Sequence, residues 1–291
     1  MQVNYLLSLF ANVLSHMIGN YCTEKKFNFC RYIIRLFCKP CKFYLCDTIS
    51  KRFYRSANLT IIMNRSNITK KEFQHKSLRQ LVANFRNEYI SNGLDENDMA
   101  ADPIIQFENW FEDAVKNKVN EPNVMHLSTA ASDGRPSGRI MLLKGFDESG
   151  FVFYTNYDSR KGKELRNNSY ASMTFLWLEL YRQVRIEGTV SYLSAEQSDE
   201  YFHSRPRGSQ IGAFASAQSQ ILSNREQLEK IADEVEVRFK DMTIPRPENW
   251  GGVCLKPEFI EFWQGRANRL HDRIKYSLDA EGKWSMQRLY P

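Results

Sequence analysis

Beyond residue 100 the chain switches between two hydrophobic periods, and the switches outline its elements. Asp102-Pro103 opens a helix, with Asp as N-cap and Pro in the first position. Ile104, Phe107, Phe111, Ala114 and Val115 then recur at helical spacing on one face. The period shortens to two over residues 124–131, and Asp133-Gly134 supplies a hairpin turn into a return strand over 138–143. Further strands are predicted over 151–155, 171–178 and 183–193. Helical spacing returns after Ser194, where Gln197 completes a capping box, and after Ser223, with Glu226 in the matching place. The second of these helices carries Leu228, Ile231, Ala232, Val235 and Phe239 in one stripe and ends before Pro245 and Pro247. Residues 253–255 and 259–263 read as two strands, followed by an extended stretch over 269–276. Antiparallel-looking strands with helices inserted between them predict an α+β domain around a small barrel. No internal repeat or low-complexity linker divides it, so one body domain spans 101–291.

Charge separates this body from what precedes it. Residues 1–62 carry nine Lys/Arg against Glu24 and Asp47, a balance of +7 within a net +6, which leaves −1 for residues 63–291. A broad nucleic-acid face is therefore not expected. Cys22, Cys30, Cys38, Cys41 and Cys46 also lie in the leader, and Cys254 alone lies beyond it. A body with one cysteine has no intrachain disulfide framework and suits a reducing, cytoplasmic setting. No stretch reaches the ~18 consecutive apolar residues of a membrane span. The leader reads either as an organelle transit peptide, such as a mitochondrial one, or as sequence upstream of a start at Met63. A secretory signal fits poorly, because the first basic residue is Lys25. The Cys38–Cys41 pair with Cys46 lacks the second matched pair of a structural zinc site, and no metal is expected. Residues 63–100 form an N-terminal segment with a helix and a candidate lid.

Four clusters of basic residues in the body invite chemistry. Arg139 and Lys144 stand five residues apart, on opposite faces if the strand is regular. They serve two anionic groups or flank an apolar strand as gatekeepers. Arg160-Lys161 follow Ser159 at the start of a short helix, where the dipole disfavours cations unless an anion sits there too; the alternative is plain surface charge. Tyr201, Arg205 and Ser209 surround a helix end and form either a phosphate clamp or an ordinary terminus. Arg269, His271 and Arg273 share one face of an extended segment, with Leu270 and Asp272 opposite, and three such groups call for an anionic ligand or carboxylates. The residues alone thus indicate binding of phosphorylated small molecules, without a P-loop or GxGxxG.

Nine segments in order sharpen this: 139–146 (RIMLLKGF), 153–156 (FYTN), 159–165 (SRKGKEL), 182–188 (RQVRIEG), 201–206 (YFHSRP), 209–212 (SQIG), 250–252 (WGG), 262–265 (FWQG) and 268–273 (NRLHDR). Together they resemble the pyridoxine (pyridoxamine) 5′-phosphate oxidase family over residues 78–291. The resemblance implies an FMN-binding split β-barrel with peripheral helices, assembled as a homodimer with FMN at the subunit interface. It implies FMN contacts at Arg139, Ile140, Met141, Leu142, Tyr154, Thr155, Arg160, Lys161, Gln183, Gln218, Ser219, Trp263 and Arg273. The phosphate of the vitamer substrate would meet Lys144, Tyr201, Arg205 and Ser209. Arg269, Leu270 and His271 would contact its ring, with Arg269 and His271 catalytic. The implied reaction converts pyridoxine or pyridoxamine 5′-phosphate to pyridoxal 5′-phosphate and reduces O2 to H2O2, with product passing to pyridoxal-phosphate enzymes. Arg86-Asn87-Glu88-Tyr89 keeps only the ends of the family's lid segment, and Arg266 replaces an uncharged residue. The alternatives are a related flavin oxidase acting on another substrate, such as a phenazine precursor, and a non-catalytic carrier of FMN or pyridoxal phosphate.

Overall fold

The computed structural model describes residues 88, 89, 91 and 93–291; the leader, the residues up to Asn87 and the Arg86 end of the lid segment lie outside them. Helix α1 (Pro103–Lys116) starts as its caps dictate, with the Asp102 carboxylate accepting the Ile104 amide at 2.7 Å. It buries Phe107, Trp110 and Ala114, whereas Val115, predicted on the same face, is exposed. Phe107 meets Phe146, Phe151 and Phe175 edge-on at 4.9–5.1 Å, the favoured arrangement of aromatic quadrupoles. This aromatic group forms the centre of the main core.

Among the described residues nine antiparallel strands make one sheet. They are β1 (Val124–Ala130), β2 (Pro136–Leu142), β3 (Gly145–Asp147), β4 (Gly150–Asn156), β5 (Tyr170–Trp177), β6 (Arg182–Tyr192), β7 (Trp250–Gln264), β8 (Asp272–Leu278) and β9 (Trp284–Leu289). The order is β2-β1-β5-β6-β7-β4-β3, with β8 on β7 and β9 on β8. Strand β7 explains the curl. Its first half pairs with β4, its second half pairs with β8, and β6 runs along its other side throughout. The two strands predicted over 253–255 and 259–263 are thus one. Pro257 sits opposite Gly188 beside a register shift at Glu187/Gly188, where a bulge tolerates the missing N–H. A Cβ on Gly188 would stand 2.0 Å from the Lys256 carbonyl oxygen, so the bulge requires glycine. The result is a split barrel with helices at its edges.

Those helices are α2 (Arg160–Asn167), α3 (Ala195–Ser204), α4 (Arg207–Ala215) and α5 (Arg225–Arg238). The capping box at Ser194 and Gln197 forms as predicted. The one at Ser223 does not: Asn224 caps α5 by accepting the Gln227 amide at 2.8 Å. Helix α4 and strands β3 and β9 were not predicted. A second, smaller core of Phe202, Ile211, Phe239, Ile244 and Trp250 joins these helices to the start of β7, with Val235 and Ala232 of the predicted stripe half-buried against it. Among the described residues no helix is long and apolar enough to cross a membrane.

Candidate functional site

Residues predicted to bind a cofactor fall into two sets, apart from Tyr154, which stacks on Tyr201 among the predicted phosphate residues. The first surrounds the N-terminus of α2, where Ser159 caps the helix by accepting the Gly162 amide. Gly162 allows the close approach of the preceding turn, because a Cβ there would lie 2.2 Å from the Tyr157 carbonyl oxygen. Lys161 is 7% exposed, and its Nζ donates to Gln218 Oε1 at 2.7 Å and to Ser159 Oγ at 3.5 Å. Both acceptors are neutral. Burial, then the nearby Arg139 charge, pushes the Lys161 ammonium down to about 8. Thr155 also donates to Gln218 Oε1, at 3.4 Å, and Ser219 follows in the left-handed region at φ 72°. Arg160 and Ser219 line an open cleft of about 420 Å³ beside the helix.

Glu164, one helical turn after Arg160, organises this set. Its carboxylate accepts from Thr129 at 2.5 Å, Ser137 at 2.6 Å and Arg160 Nε at 2.8 Å, with Arg139 Nη2 at 3.3 Å. Burial pushes its pKa up, but the hydrogen bonds from Ser137, Thr129 and Arg160 outweigh it and hold the carboxyl at about 2. Arg139 donates further to Thr129 Oγ1 at 2.6 Å and Ser137 Oγ at 2.5 Å. Sequence reasoning did not single out Glu164. Its signal was the i, i+4 spacing from Arg160.

The second set lies on the outer face of the sheet. Register aligns Gln183 of β6, Trp263 of β7 and Arg273 of β8 as neighbours. Leu176 of β5 extends this row, as do Val124 of β1 and Leu142 of β2. On β2 alternation turns Arg139 and Met141 toward the body, while Ile140 and Leu142 face solvent at 64% and 38% exposure. Strand β2 stops at Leu142, so Lys144 is no strand partner of Arg139; it lies exposed in the link to β3, its amide bound to the Val152 carbonyl.

The extended face predicted for Arg269, His271 and Arg273 does not form. Ala267–Arg269 is a 3-10 turn in which Asn268 and Arg269 adopt positive φ, 56° and 61°, and β8 begins only at Asp272. Arg273 is already neutralised by Glu261, a 2% exposed carboxylate 2.7 Å away that sequence reasoning missed. Arg269 is exposed and has no ion pair among the described residues. The His271 ring packs against Trp263 at 4.6 Å and Tyr89 at 5.6 Å. Its Nδ1 accepts the Arg266 amide at 3.1 Å, which leaves Nε2 to carry the proton of the neutral ring. Burial and then Arg269 lower its pKa, with Asp272 opposing them.

The predicted phosphate residues converge in part. Arg205 is the C-cap of α3 and Ser209 lies in the first turn of α4, so the single helix end read from sequence is a junction of two helices. Tyr201 stacks on Tyr154 with centroids 3.7 Å apart. The Arg205 guanidinium lies over the Trp250 ring at 4.6 Å, and its Nη1 is buried with no hydrogen-bond partner. Burial lowers its pKa, partly offset by Tyr201. Pro206 caps α4 without a side-chain acceptor. A buried N–H of a cation left unpaired costs about 1–3 kcal/mol or more, a cost that an acceptor reaching Nη1 would remove. Among the described residues no group of acids, histidines and cysteines could hold a metal ion.

Comparison with known proteins agrees with this layout. Residues 111–239 match the profile of pyridoxamine 5′-phosphate oxidase, and residues 250–291 match the pyridoxine 5′-phosphate oxidase C-terminal dimerisation region. A pyridoxine/pyridoxamine 5′-phosphate oxidase of Herminiimonas arsenicoxydans is 52% identical over 210 residues, covering 72% of this chain and 99% of the relative. One of Rubrobacter xylanophilus is 53% identical over 213 residues, 73% of this chain and 98% of the relative. Among solved structures, PhzG of Burkholderia lata 383, in complex with tetrahydrophenazine-1-carboxylic acid, superposes with a TM-score of 0.65 at 33% identity, covering 69% of this chain and 98% of that one. A pyridoxamine 5′-phosphate oxidase-related, FMN binding protein of Nostoc punctiforme shares the fold, with a TM-score of 0.52 at 16% identity over 64% of this chain and 97% of its own. Matched by both family models, and about half identical to oxidases that it covers over nearly their whole length, this split-barrel chain belongs to the pyridoxine/pyridoxamine 5′-phosphate oxidase family.

Proposed function

We propose that the chain oxidises pyridoxine 5′-phosphate and pyridoxamine 5′-phosphate to pyridoxal 5′-phosphate with FMN as cofactor and O2 as acceptor. The observation that carries this reading is the unpaired Nη1 of Arg205 beside the Tyr154–Tyr201 stack: a cation with no carboxylate, next to aromatic faces, suits a phosphorylated aromatic ring. Arg205, Tyr201, Ser209 and Lys144 would hold the vitamer phosphate. The residues at the start of α2 suit the phosphate of FMN, since Lys161 is buried with neutral partners only and a helix N-terminus favours an anion. Arg139, Thr155, Arg160, Gln218 and Ser219 complete that end, while Gln183, Trp263 and Arg273 would border the flavin ring.

Bound FMN would supply the two-electron acceptor. The alcohol and O2 give the aldehyde and H2O2; the amine consumes one water in addition and releases ammonia. The chain's own residues position the reacting C4′ carbon and manage the proton. Arg269 and His271 would lie over the pyridine ring, with His271 neutral and its Nε2–H available as a donor. Alignment at near-contact distance supplies much of the rate enhancement. The exposed apolar side chains Ile140, Leu142 and Leu176 on the outer sheet face, with Leu178 in the turn after β5, suit a homodimer that brings both sets together.

The test is oxygen consumption and aldehyde formation by the FMN-loaded full chain with each phosphorylated vitamer and with unphosphorylated pyridoxine. Turnover confined to the phosphorylated pair is expected; equal turnover of pyridoxine, or none with any substrate, refutes the reading. The likeness to PhzG favours a second reading, oxidation of a phenazine precursor. The 52–53% identity to vitamer oxidases, against 33% to PhzG, and the phosphate-directed Arg205 weigh against it.

A further inference from the structure

Trp250 has no part in the reaction above, yet it packs against three groups near the vitamer-phosphate end, Tyr154, Tyr201 and Arg205. Its indole lies parallel to Tyr154 at 5.4 Å and 14° and to Tyr201 at 6.3 Å and 3°, and the Arg205 guanidinium carbon sits 4.6 Å from its centroid. The ring itself cannot easily move. It is 7% exposed, meets Phe202 edge-on at 5.3 Å and belongs to the second core. Its amide donates to the Pro247 carbonyl at 3.0 Å, and its carbonyl accepts from Arg246 Nη1 at 2.7 Å.

Two kinds of partner can hold a buried arginine. A carboxylate would occupy the guanidinium's N–H groups and cancel its charge. An aromatic face holds the plane through cation–π attraction and leaves the in-plane N–H groups free. Arg205 has the second kind, since the described residues include no carboxylate in an ion pair with it and its Nη1 is unsatisfied.

We propose that Trp250 is the positioning residue of the phosphate clamp, holding the Arg205 guanidinium over its indole so that Nη1 keeps no protein partner and is left for the vitamer phosphate. The inference rests on the vitamer-phosphate reading and adds a prediction that reading does not make. Loss of the indole face weakens phosphate recognition and leaves the oxidative step close to intact.

The experiment compares FMN-loaded full-length wild type, Trp250→Phe and Trp250→Leu. Steady-state kinetics on pyridoxine 5′-phosphate are measured alongside the melting temperature in inorganic phosphate and in chloride at equal ionic strength. KM is expected to rise about tenfold in Trp250→Leu and about two- to threefold in Trp250→Phe, with kcat changed less than about twofold. The phosphate-induced rise in melting temperature should shrink in the same order, a readout independent of turnover. Unchanged KM in both variants overturns the assignment, as does a fall in kcat as large as the rise in KM, which would mark a merely structural tryptophan. If Trp250→Leu fails to fold, Trp250→Phe is combined with Arg205→Lys. Less than additive effects on KM support the proposal, and additive effects overturn it. A wild type inactive on both phosphorylated vitamers ends the functional reading itself; an active wild type beside unaffected variants ends only the role of Trp250.

Discussion

Two cationic clusters lie on either side of β4, and they are held in opposite ways. Thr155 faces one and Tyr154 faces the other, as consecutive residues of a strand must. On the Thr155 side, Arg139 and Arg160 are wired to Glu164, and Lys161 rests on Gln218 and Ser159. On the Tyr154 side, Arg205 rests on aromatic rings and keeps an N–H unpaired. The first cluster keeps its shape because Glu164 ties Arg139 and Arg160 together, which suits a cofactor that stays. The second has no carboxylate paired with Arg205 among the described residues, which suits the proposed substrate, one that arrives and leaves. The carboxylate also limits the first site's charge: Glu164 offsets one of its cations, whereas no carboxylate among the described residues forms an ion pair with Arg205.

The largest expected effect breaks the second cluster. Arg205→Ala would remove the proposed desolvated, charge-assisted contact to phosphate, with an expected loss of about 3–4 kcal/mol or roughly 10²–10³-fold in kcat/KM for pyridoxine 5′-phosphate. FMN content, read from the absorbance of the purified protein, should stay near wild type. Loss of both together would mean that the two clusters are not separable. Next comes Glu164→Ala, which leaves Arg139 facing an empty, partly buried position. Removing one partner of such a pair costs about 3 kcal/mol, measured by denaturant unfolding of the cofactor-free protein. Because the Glu164 carboxyl is held at about 2 in the fold, its contribution is complete above the unfolded carboxylate range near 4.5. It declines as pH falls from there toward 2, so wild type and variant should converge in acid. A constant gap down to pH 2 would show that the carboxylate's charge is not what stabilises.

How legible this was depends on how local each signal is. The capping box at Ser194, the Asp102-Pro103 start and the β1–β2 hairpin rest on neighbouring residues and were readable. So was the pairing of cations with helix ends at Arg160-Lys161 and Arg205. What escaped were relations fixed by the sheet. That 253–255 and 259–263 are one strand depends on a bulge in β7, where Glu258 is the extra residue opposite the Glu187/Gly188 step of β6 and Pro257 is accommodated. That Arg269 does not share a strand face with Arg273 depends on two residues at positive φ, a conformation that neither Asn268-Arg269 nor their neighbours announce. Glu261 and Glu164 decide which cations are already neutralised, and each reaches its partners across strands or from helix to sheet. The cations were visible in the sequence; their counter-charges were not.

A smaller effect sharpens the comparison on the cofactor side. Lys161 is pushed down to about 8 by burial and by Arg139, below its ordinary value near 10.5. In the cofactor-free fold the charged form is the disfavoured one, so this lysine lowers stability below pH 8 and the penalty fades as pH rises from 8 toward 10.5. An anion at the start of α2 needs the ammonium, so FMN affinity should fall by about tenfold between pH 7 and 9 as the proton is lost. Fluorescence titration of FMN into the cofactor-free protein at the two pH values measures it. Lys161→Met should bind FMN more weakly at pH 7, lose most of this pH dependence and melt at a higher temperature without cofactor. Arg205→Ala should keep the wild-type pH dependence, since its cation lies on the other face of β4. If Lys161→Met retains the tenfold fall, another group titrates there and the contrast between the two clusters loses its cofactor half.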